Sequence, residues 1–408
     1  MAKVSVITPT NSVERFRKAK QSLLYQTEQD WEWIVLFNGG AQAPIEDDPR
    51  IRCINSRISL PFVGALKKEA CSYATAPFIV EFDHDDELSR DCLEEVVKAF
   101  ETTPAVFVYS DDACVNADAT PRTPYSSWYG WSTRVDTFKG EKDEELMVHN
   151  RPLLIPQNVS RILFAPDHVR AWRKDAYEAV GGHDPSLKIC DDLDLMQKLY
   201  AYSGGKFHYI QKCLYKYIVH GSNTWLKNQD EIQVKMMELH DKMVEPMARA
   251  HCNNWGLAIA ELGVNFPIND LRAIENAGGH WPLKDSSVGL IVSKGAIEQL
   301  EKPVHLMNEA YRALVHGGLF IIEVPESPSS ITFHPANKSQ WNMTSFWYFT
   351  RKQNQEFIRH LGVDCRFQEV QLSRFYPSDW HKENNLPYIR AHLAAIKDGP
   401  VLHGGYHI

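Results

Sequence analysis

From Lys3 to Tyr109 the chain alternates short β-branched or apolar runs with stretches whose apolar residues recur at helical spacing. No other feature narrows the fold as far. Lys3 to Thr8 reads as a strand ended by Pro9, and Val13, Phe16, Ala19, Leu23 and Leu24 mark a helix from Val13 to Gln26. Trp31 to Phe37 is a second strand closed by Asn38-Gly39-Gly40, and Ile51 to Ile54 a short third. A helix over Phe62 to Ala74, a buried strand over Ala76 to Val80, a helix over Arg90 to Phe100 and a strand over Ala105 to Tyr109 follow. Such alternation implies an α/β domain: a mostly parallel sheet with helices on both faces. Ligands of such sheets bind beyond the carboxyl ends of the strands.

The strand at Ala76 to Val80 runs into Glu81-Phe82-Asp83-His84-Asp85-Asp86-Glu87, with Asp86 and Glu87 expected to begin the next helix. Carboxylates crowded at a strand end repel one another, and something must offset them. On the residues alone this is either a solvated acidic turn or a site for a hard divalent cation, Mn2+ or Mg2+, with oxygen ligands. Neither a Walker loop nor a Gly-x-Gly-x-x-Gly occurs in this half. A nucleotide bound here would therefore rely on metal-bridged phosphates, which favours Asp83 and Asp85.

The 408 residues allow two domains, and 44% hydrophobic with 24% charged content is ordinary for a globular protein. A net charge of -8 argues against a broad basic surface for nucleic acid, though not against a local groove lined by Arg161, Arg170, Arg173 and Lys174. The eight cysteines are scattered without a Cys-x-x-Cys pair, the pattern of reduced thiols. With no signal-peptide pattern and no apolar run near the ~20 residues of a spanning helix, the expectation is a cytoplasmic chain.

Residues 115 to 160 read as loop, with aromatics concentrated at Tyr125 to Trp131. Phe164 to Val180 reads as strand into helix, followed by Gly181-Gly182-His183-Asp184 and Cys190-Asp191-Asp192-Leu193-Asp194. Adjacent carboxylates there suit either an Asp-rich helix start or a general base whose basicity a like charge raises. Lys212 to Val219 is strand-like and ends at His220; Asn228 to Ala250 is an amphipathic helix.

Val4-Ser5-Val6-Ile7-Thr8-Pro9-Thr10, Ser22 to Thr27, Trp31 to Val35, Gly64-x-x-Lys67, Asp83-His84-Asp85, Gly181 to Asp184 and Asp191-Asp192-Leu193-Asp194 agree in order and spacing with one family. Over roughly its first 230 residues the chain resembles family-two glycosyltransferases of the GT-A fold. The resemblance implies inverting transfer of a sugar from a nucleotide-diphosphate sugar to an acceptor hydroxyl. It implies metal at Asp83 and Asp85 with help from His220, donor contacts from Pro9, Thr10, Asn38, Lys67, Asp83 and Asp85, and Asp192 as general base. Asp191 stands where the family has Glu. Asn38 departs from the usual Asp, and an amide offers a base edge both donor and acceptor where a carboxylate offers acceptors alone. The acceptor is expected on a glycan precursor, with a hydroxylated base in phage-type DNA as the alternative.

After about His251 a different pattern begins. Trp281 to Val288, Met307 to Leu314, Gly317 to Pro325 and Trp341 to Phe349 resemble the later part of class I S-adenosylmethionine-dependent methyltransferases. The first strand of that fold ends in a glycine-rich cradle; here Ile259 to Asn265 holds one glycine, and Asp270 is the candidate remnant of the cofactor-binding acid. The expected organisation is a transferase domain over 1–250, a linker over 251–263 and a truncated Rossmann-like domain over 264–408. That last domain is expected to bind no S-adenosylmethionine and to pack, self-associate into a homo-oligomer or help hold the acceptor. Methyl transfer by it, or a binding module without turnover, are the competing readings.

Overall fold

A computed structural model of the chain describes residues 2–58, 62–118, 120, 122, 132–159, 168–221 and 223–397. The aromatic stretch Tyr125 to Trp131 and Arg161 lie outside the described residues. The chain forms two compact units, dividing between Met247 and Ala248.

In the first unit β1 (Val4–Thr10), α1 (Val13–Leu24), β2 (Trp31–Phe37), β3 (Ile51–Asn55), α2 (Val63–Ser72), β4 (Phe78–Glu81), β5 (Glu87–Leu88) and α3 (Cys92–Thr102) follow in order. Next come β6 (Phe107–Asn116), β7 (Ser132–Lys139), β8 (Asp143–Asn150), α4 (Pro156–Val159), β9 (Arg170–Arg173), α5 (Lys174–Ala179), α6 (Asp191–Ser203), β10 (Phe207–Val219), α7 (Thr224–Lys227) and α8 (Gln229–Trp255). The sheet order is β3-β2-β1-β4-β9-β6-β10-β5, with the β7–β8 hairpin joined to β6. Strands β1, β2, β3 and β4 are mutually parallel, as are β6 and β10, while β9 enters antiparallel between β4 and β6.

Strand residues alternate between two cores because successive side chains point to opposite faces. Val4, Val6, Trp33, Val35 and Val80 pack with Phe16 of α1 and Leu93 of α3. Ile7, Ile34, Leu36 and Ile79 pack with Leu66 of α2 and Leu193 of α6. Burial on both faces is why β2 is apolar at every position except Glu32.

The second unit carries β11 (Ala258–Leu262), α9 (Ile268–Ala277), β12 (Val288–Lys294), α10 (Pro303–Ala313), β13 (Leu314–Pro325), α11 (Met343–Thr350), α12 (Lys352–Ile358), β14 (Phe367–Phe375), α13 (Asp379–Glu383) and β15 (Tyr388–Ala395). Its sheet runs β11-β12-β13-β15-β14, with the first three strands parallel and β15 antiparallel to both its neighbours. Ile291, Phe320, Ile322 and Leu393 of the sheet share a core with Leu306 and Met307 of α10 and with Trp341 and Phe346.

Three expectations need correction. Residues 251–263 are not a linker: they hold the end of α8 and strand β11, whose Ala260 and Leu262 are buried. Glu87 starts no helix; with Leu88 it pairs antiparallel to Lys216 and Tyr215 of β10. The loop expected over 115–160 contains the β7–β8 hairpin, whose small core of Phe138, Val148, Ala113 and Cys213 leaves few apolar residues to mark the strands. Asp270, the candidate remnant of a cofactor-binding acid, lies exposed in the first turn of α9.

Candidate active site

The acidic segment after β4 is fixed from both sides of the sheet. The Thr8 hydroxyl donates to the Phe82 carbonyl at 2.6 Å and accepts from the Trp33 indole at 2.8 Å. Tyr215 of β10 donates its hydroxyl to Asp86 Oδ2 at 2.9 Å and accepts the Asp83 backbone N–H at 3.2 Å. Asp86 Oδ1 also accepts the Ile218 N–H at 2.7 Å. Asp86 is buried and tied to β10, so it holds the segment in place while Asp83 and Asp85 project from it. Burial first, then the nearby charges of Asp85 and Asp83, push its carboxyl well above the ordinary range.

Asp85 collects its partners from distant segments. Its Oδ2 lies 2.7 Å from His220 Nε2, at the end of β10, and 3.1 Å from Arg15 Nη1 on α1. The same Arg15 nitrogen approaches His84 Nε2 at 3.1 Å. A guanidinium can only donate, so His84 Nε2 accepts and its Nδ1–H donates to Thr10 Oγ1 at 2.7 Å. Across the β1 end, Asn38 donates its side-chain amide to the Thr10 carbonyl at 3.0 Å. That bond fixes which way the amide points.

Asp83 turns the other way, its Oδ2 3.3 Å from His168 Nε2, with 37% of its side chain exposed. Burial pushes the carboxyl up, but the His168 hydrogen bond and the His168, Lys67 and Arg170 charges together outweigh it and hold the carboxyl far below the usual range. Beyond His168 runs a chain of buried ion pairs. Arg170 of β9 meets Glu81 Oε1 through Nη2 at 2.7 Å and grips Asp192 Oδ2 through Nη1. Lys67 of α2 reaches Glu81 Oε1 at 2.9 Å and Asp191 Oδ2 at 3.0 Å. The expected donor residue Lys67 is therefore enclosed between two carboxylates.

Asp191 and Asp192 open α6, where the helix dipole favours negative charge. Cys190, just before them, takes a left-handed backbone at φ 59°, a conformation that costs a non-glycine residue about 1 kcal/mol or more. Gly64 lets α2 approach this entry: a Cβ there would sit 2.2 Å from the Asp184 carbonyl oxygen. Environment separates the two acids. Burial first, then the Asp192 and Glu81 charges, raise Asp191 to about 6 against the pull of Lys67. Burial would raise Asp192 too, but the Arg170 and Lys67 charges outweigh it and hold Asp192 down to about 2. His183, in the Gly-Gly-His-Asp turn, is fully buried, pushed down to about 3 chiefly by burial, and hydrogen-bonded to the Tyr177 hydroxyl at 3.0 Å.

The structure thus joins Asp85 to His220, places Thr10 and Asn38 at the neighbouring strand end, and directs Asp83 to His168. Glu81, Asp83 and His168 also offer ligand atoms within 4.8 Å of one another. Lys67 and Arg170 already neutralise Glu81, and their charges oppose a cation there. Arg15, Glu81, His168 and Arg170 escaped the sequence reading as site residues. Glu81 carried the one usable signal, an acid among the buried residues of a strand. Of the residues expected to line a basic groove, Arg161 lies outside the described ones, Arg170 is buried in ion pairs, Arg173 donates to the Ala105 and Thr103 carbonyls, and Lys174 donates to the Ala74 carbonyl.

Residues 5–177 match the glycosyl transferase family 2 model. They form a glycosyl transferase family 2 domain. Residues 221–322 match a methyltransferase domain model, so this family 2 domain is followed by a methyltransferase-like one. The chain is 25% identical to chondroitin synthase of Pasteurella multocida (strain Pm70) over 236 residues, 56% of this chain and 22% of that protein. It is 24% identical to hyaluronan synthase of Pasteurella multocida over 233 residues, 55% of this chain and 21% of that one. The chain thus spans about a fifth of the length of these curated relatives. Among solved structures, S. aureus TarS 1-349 in complex with UDP-GlcNAc aligns at a TM-score of 0.43 and 14% identity, covering 62% of this chain and 73% of that one. The mannosyltransferase PcManGT from Pyrobaculum calidifontis, in complex with GDP-Man and Mn2+, aligns at 0.39 and 16%, covering 69% and 76%.

Proposed function

We propose that the chain is an inverting glycosyltransferase that moves a sugar from a nucleotide-diphosphate sugar to an acceptor hydroxyl, with Mn2+ or Mg2+ at the acidic segment. One observation carries this reading: Asp83, two positions before the Asp85 that meets His220, is linked to Asp192 at the head of α6 by the contacts Asp83–His168–Arg170–Asp192.

Asp83 and Asp85 would hold the ion through carboxylate oxygens, which suit Mn2+ or Mg2+, with His220 as a nitrogen ligand beside them. When bound, the ion supplies charge that offsets the departing diphosphate. The remaining work falls to the chain's own groups. Asn38, with one amide N–H donated to the Thr10 carbonyl, keeps Oδ1 as an acceptor and a second N–H as a donor for a nucleobase edge. Asp192 receives the proton of the acceptor hydroxyl as its oxygen attacks the anomeric carbon opposite the nucleotide. Arg170 keeps that carboxylate ionised and aimed; a carboxylate of low pKa is a weak base, so proton transfer comes late, as the new C–O bond forms.

Likeness to chondroitin and hyaluronan synthases supports a sugar hydroxyl as acceptor. A DNA acceptor loses its main physical support with the internal pairing of Arg170, Arg173 and Lys174. A salt-dependent shift assay with duplex DNA decides it. The second unit is read as a partner domain for packing, self-association or holding the acceptor. Its turn after β11 closes on itself, Asn265 Oδ1 accepting the Glu261 N–H at 2.7 Å, where a cofactor cradle would need open backbone N–H groups. Calorimetry of the full chain with S-adenosylmethionine should show no binding.

Thermal shift of the chain with UDP-, GDP-, CMP- and TDP-linked sugars, with and without Mn2+, tests the central reading. A metal-dependent shift with one nucleotide class is expected. No shift with any of them would overturn it.

A further inference from the structure

His168 takes no part in the proposed transfer chemistry, yet its ring is closely held. The ring is 2% exposed. It stacks on Tyr215 with centroids 4.2 Å apart and planes at 12°, and Tyr217 lies parallel on the same line at 6.2 Å. Tyr215 is the residue that pins Asp83 and Asp86 through its hydroxyl, so the His168 ring rests on the group that sets the acidic segment.

At its edge, Nε2 faces Asp83 Oδ2 at 3.3 Å and Arg170 Nη2 at 3.1 Å. Asp83 only accepts and Arg170 only donates, so the ring nitrogen hydrogen-bonds one of them at a time and lies against the other. The same Arg170 holds Glu81 and Asp192. In the proposed reaction Asp83 stands on the donor side and Asp192 on the acceptor side, and His168 is the side chain that touches the first and reaches the second through one guanidinium.

We propose that His168 is a positioning residue: clamped on Tyr215, it fixes the separation and orientation of Asp83 and of the Arg170–Asp192 pair. The proposal rests on the glycosyl-transfer reading and adds the element that holds its two sides in register. His168 contacts no reacting atom; it acts by keeping two carboxylates where donor and acceptor need them. A misplacement of about 1 Å at such a site is enough to cost ~100-fold in rate.

The test compares the full-length wild type with His168→Phe and His168→Gln. Phenylalanine keeps the stack on Tyr215 and loses the nitrogen; glutamine restores a polar group that can face Asp83 and Arg170. Two quantities are read for each: affinity for the nucleotide sugar that gives the largest wild-type thermal shift, by calorimetry with Mn2+, and release of nucleoside diphosphate from that sugar. The expected result is donor affinity within about threefold in all three proteins, His168→Phe turnover lower by ~100-fold, and His168→Gln turnover within about tenfold of wild type. Loss of packing alone would not be repaired by glutamine, which cannot stack as an aromatic ring does. Wild-type turnover in His168→Phe would overturn the proposal, and so would a His168→Gln as impaired as His168→Phe. Failure of the glycosyl-transfer reading is seen separately, in a wild type that neither binds nor turns over any nucleotide sugar.

Discussion

Asp85 and His220 are 135 positions apart in the chain, yet His220 Nε2 lies 2.7 Å from Asp85 Oδ2. Arg15 reaches the same oxygen from α1 at 3.1 Å, so three separate segments converge on one carboxylate. In this arrangement Asp85 is served by a cation and an imidazole from its own chain.

Asp85→Ala should therefore remove metal-dependent donor binding. In calorimetry with the nucleotide sugar, wild type should bind at least about tenfold more tightly with Mn2+ than without it, and the variant should give the same weak affinity in both conditions. His220→Ala should weaken the Mn2+ effect without removing Asp85's own contribution. A variant at Asp85 that keeps the full Mn2+ effect would move the metal site elsewhere.

Lys67 bears mainly on stability. It is buried, and it joins Glu81 to Asp191 at 2.9 and 3.0 Å. Removing one member of a buried ion-paired network leaves carboxylates uncompensated, at a cost of about 3 to 5 kcal/mol. Lys67→Met should lose stability on that scale in urea denaturation. A loss of less than about 1 kcal/mol would show that the network is not what holds α2 to α6.

Asp192 gives a pH signature. Its folded pKa is lowered to about 2, below the ordinary carboxylate value, so its stabilisation is present above the unfolded value near 3.8 and is lost as pH falls through 2. The shift corresponds to roughly 2 kcal/mol at neutral pH. The stability gap between wild type and Asp192→Asn should be full at pH 6 and narrow by roughly half near pH 3. Asp191 runs opposite: its folded value, raised to about 6, makes its contribution most favourable at acid pH and lost as pH rises through 6. The same gap measured in Asp191→Asn should therefore change with the reverse slope. A gap in Asp192→Asn that grows toward acid pH would contradict the Arg170 pairing.

Much of this site was legible in the residues. The parallel strands announced themselves as mostly apolar runs because both sheet faces are covered. Asp83, Asp85, Asp191 and Asp192 stood out as acids at a strand end and a helix start. Three things were hidden for physical reasons. The β7–β8 hairpin buries few apolar residues, so no period-2 alternation marks it. Asp86 and Glu87 look like a helix start in one dimension, and it takes the pairing with β10 to show that they anchor a segment. Arg170 and His168 belong to a short antiparallel strand and its approach, where nothing in the local spacing says that β9 inserts between β4 and β6 and delivers both side chains to the acids. Lys67 illustrates the converse: its helix was legible, but its enclosure by Glu81 and Asp191 is a tertiary fact.

The most direct test of the account is nucleoside diphosphate release by Asp192→Asn, measured beside its donor affinity. The amide keeps the shape of Asp192 and can still meet its neighbours, but it cannot take a proton. The account predicts donor affinity within about threefold of wild type and turnover lower by at least ~100-fold, within the 10²–10⁴ range expected of a general base. Turnover equal to wild type, with donor binding intact, would contradict the assignment of Asp192 and the mechanism built on it.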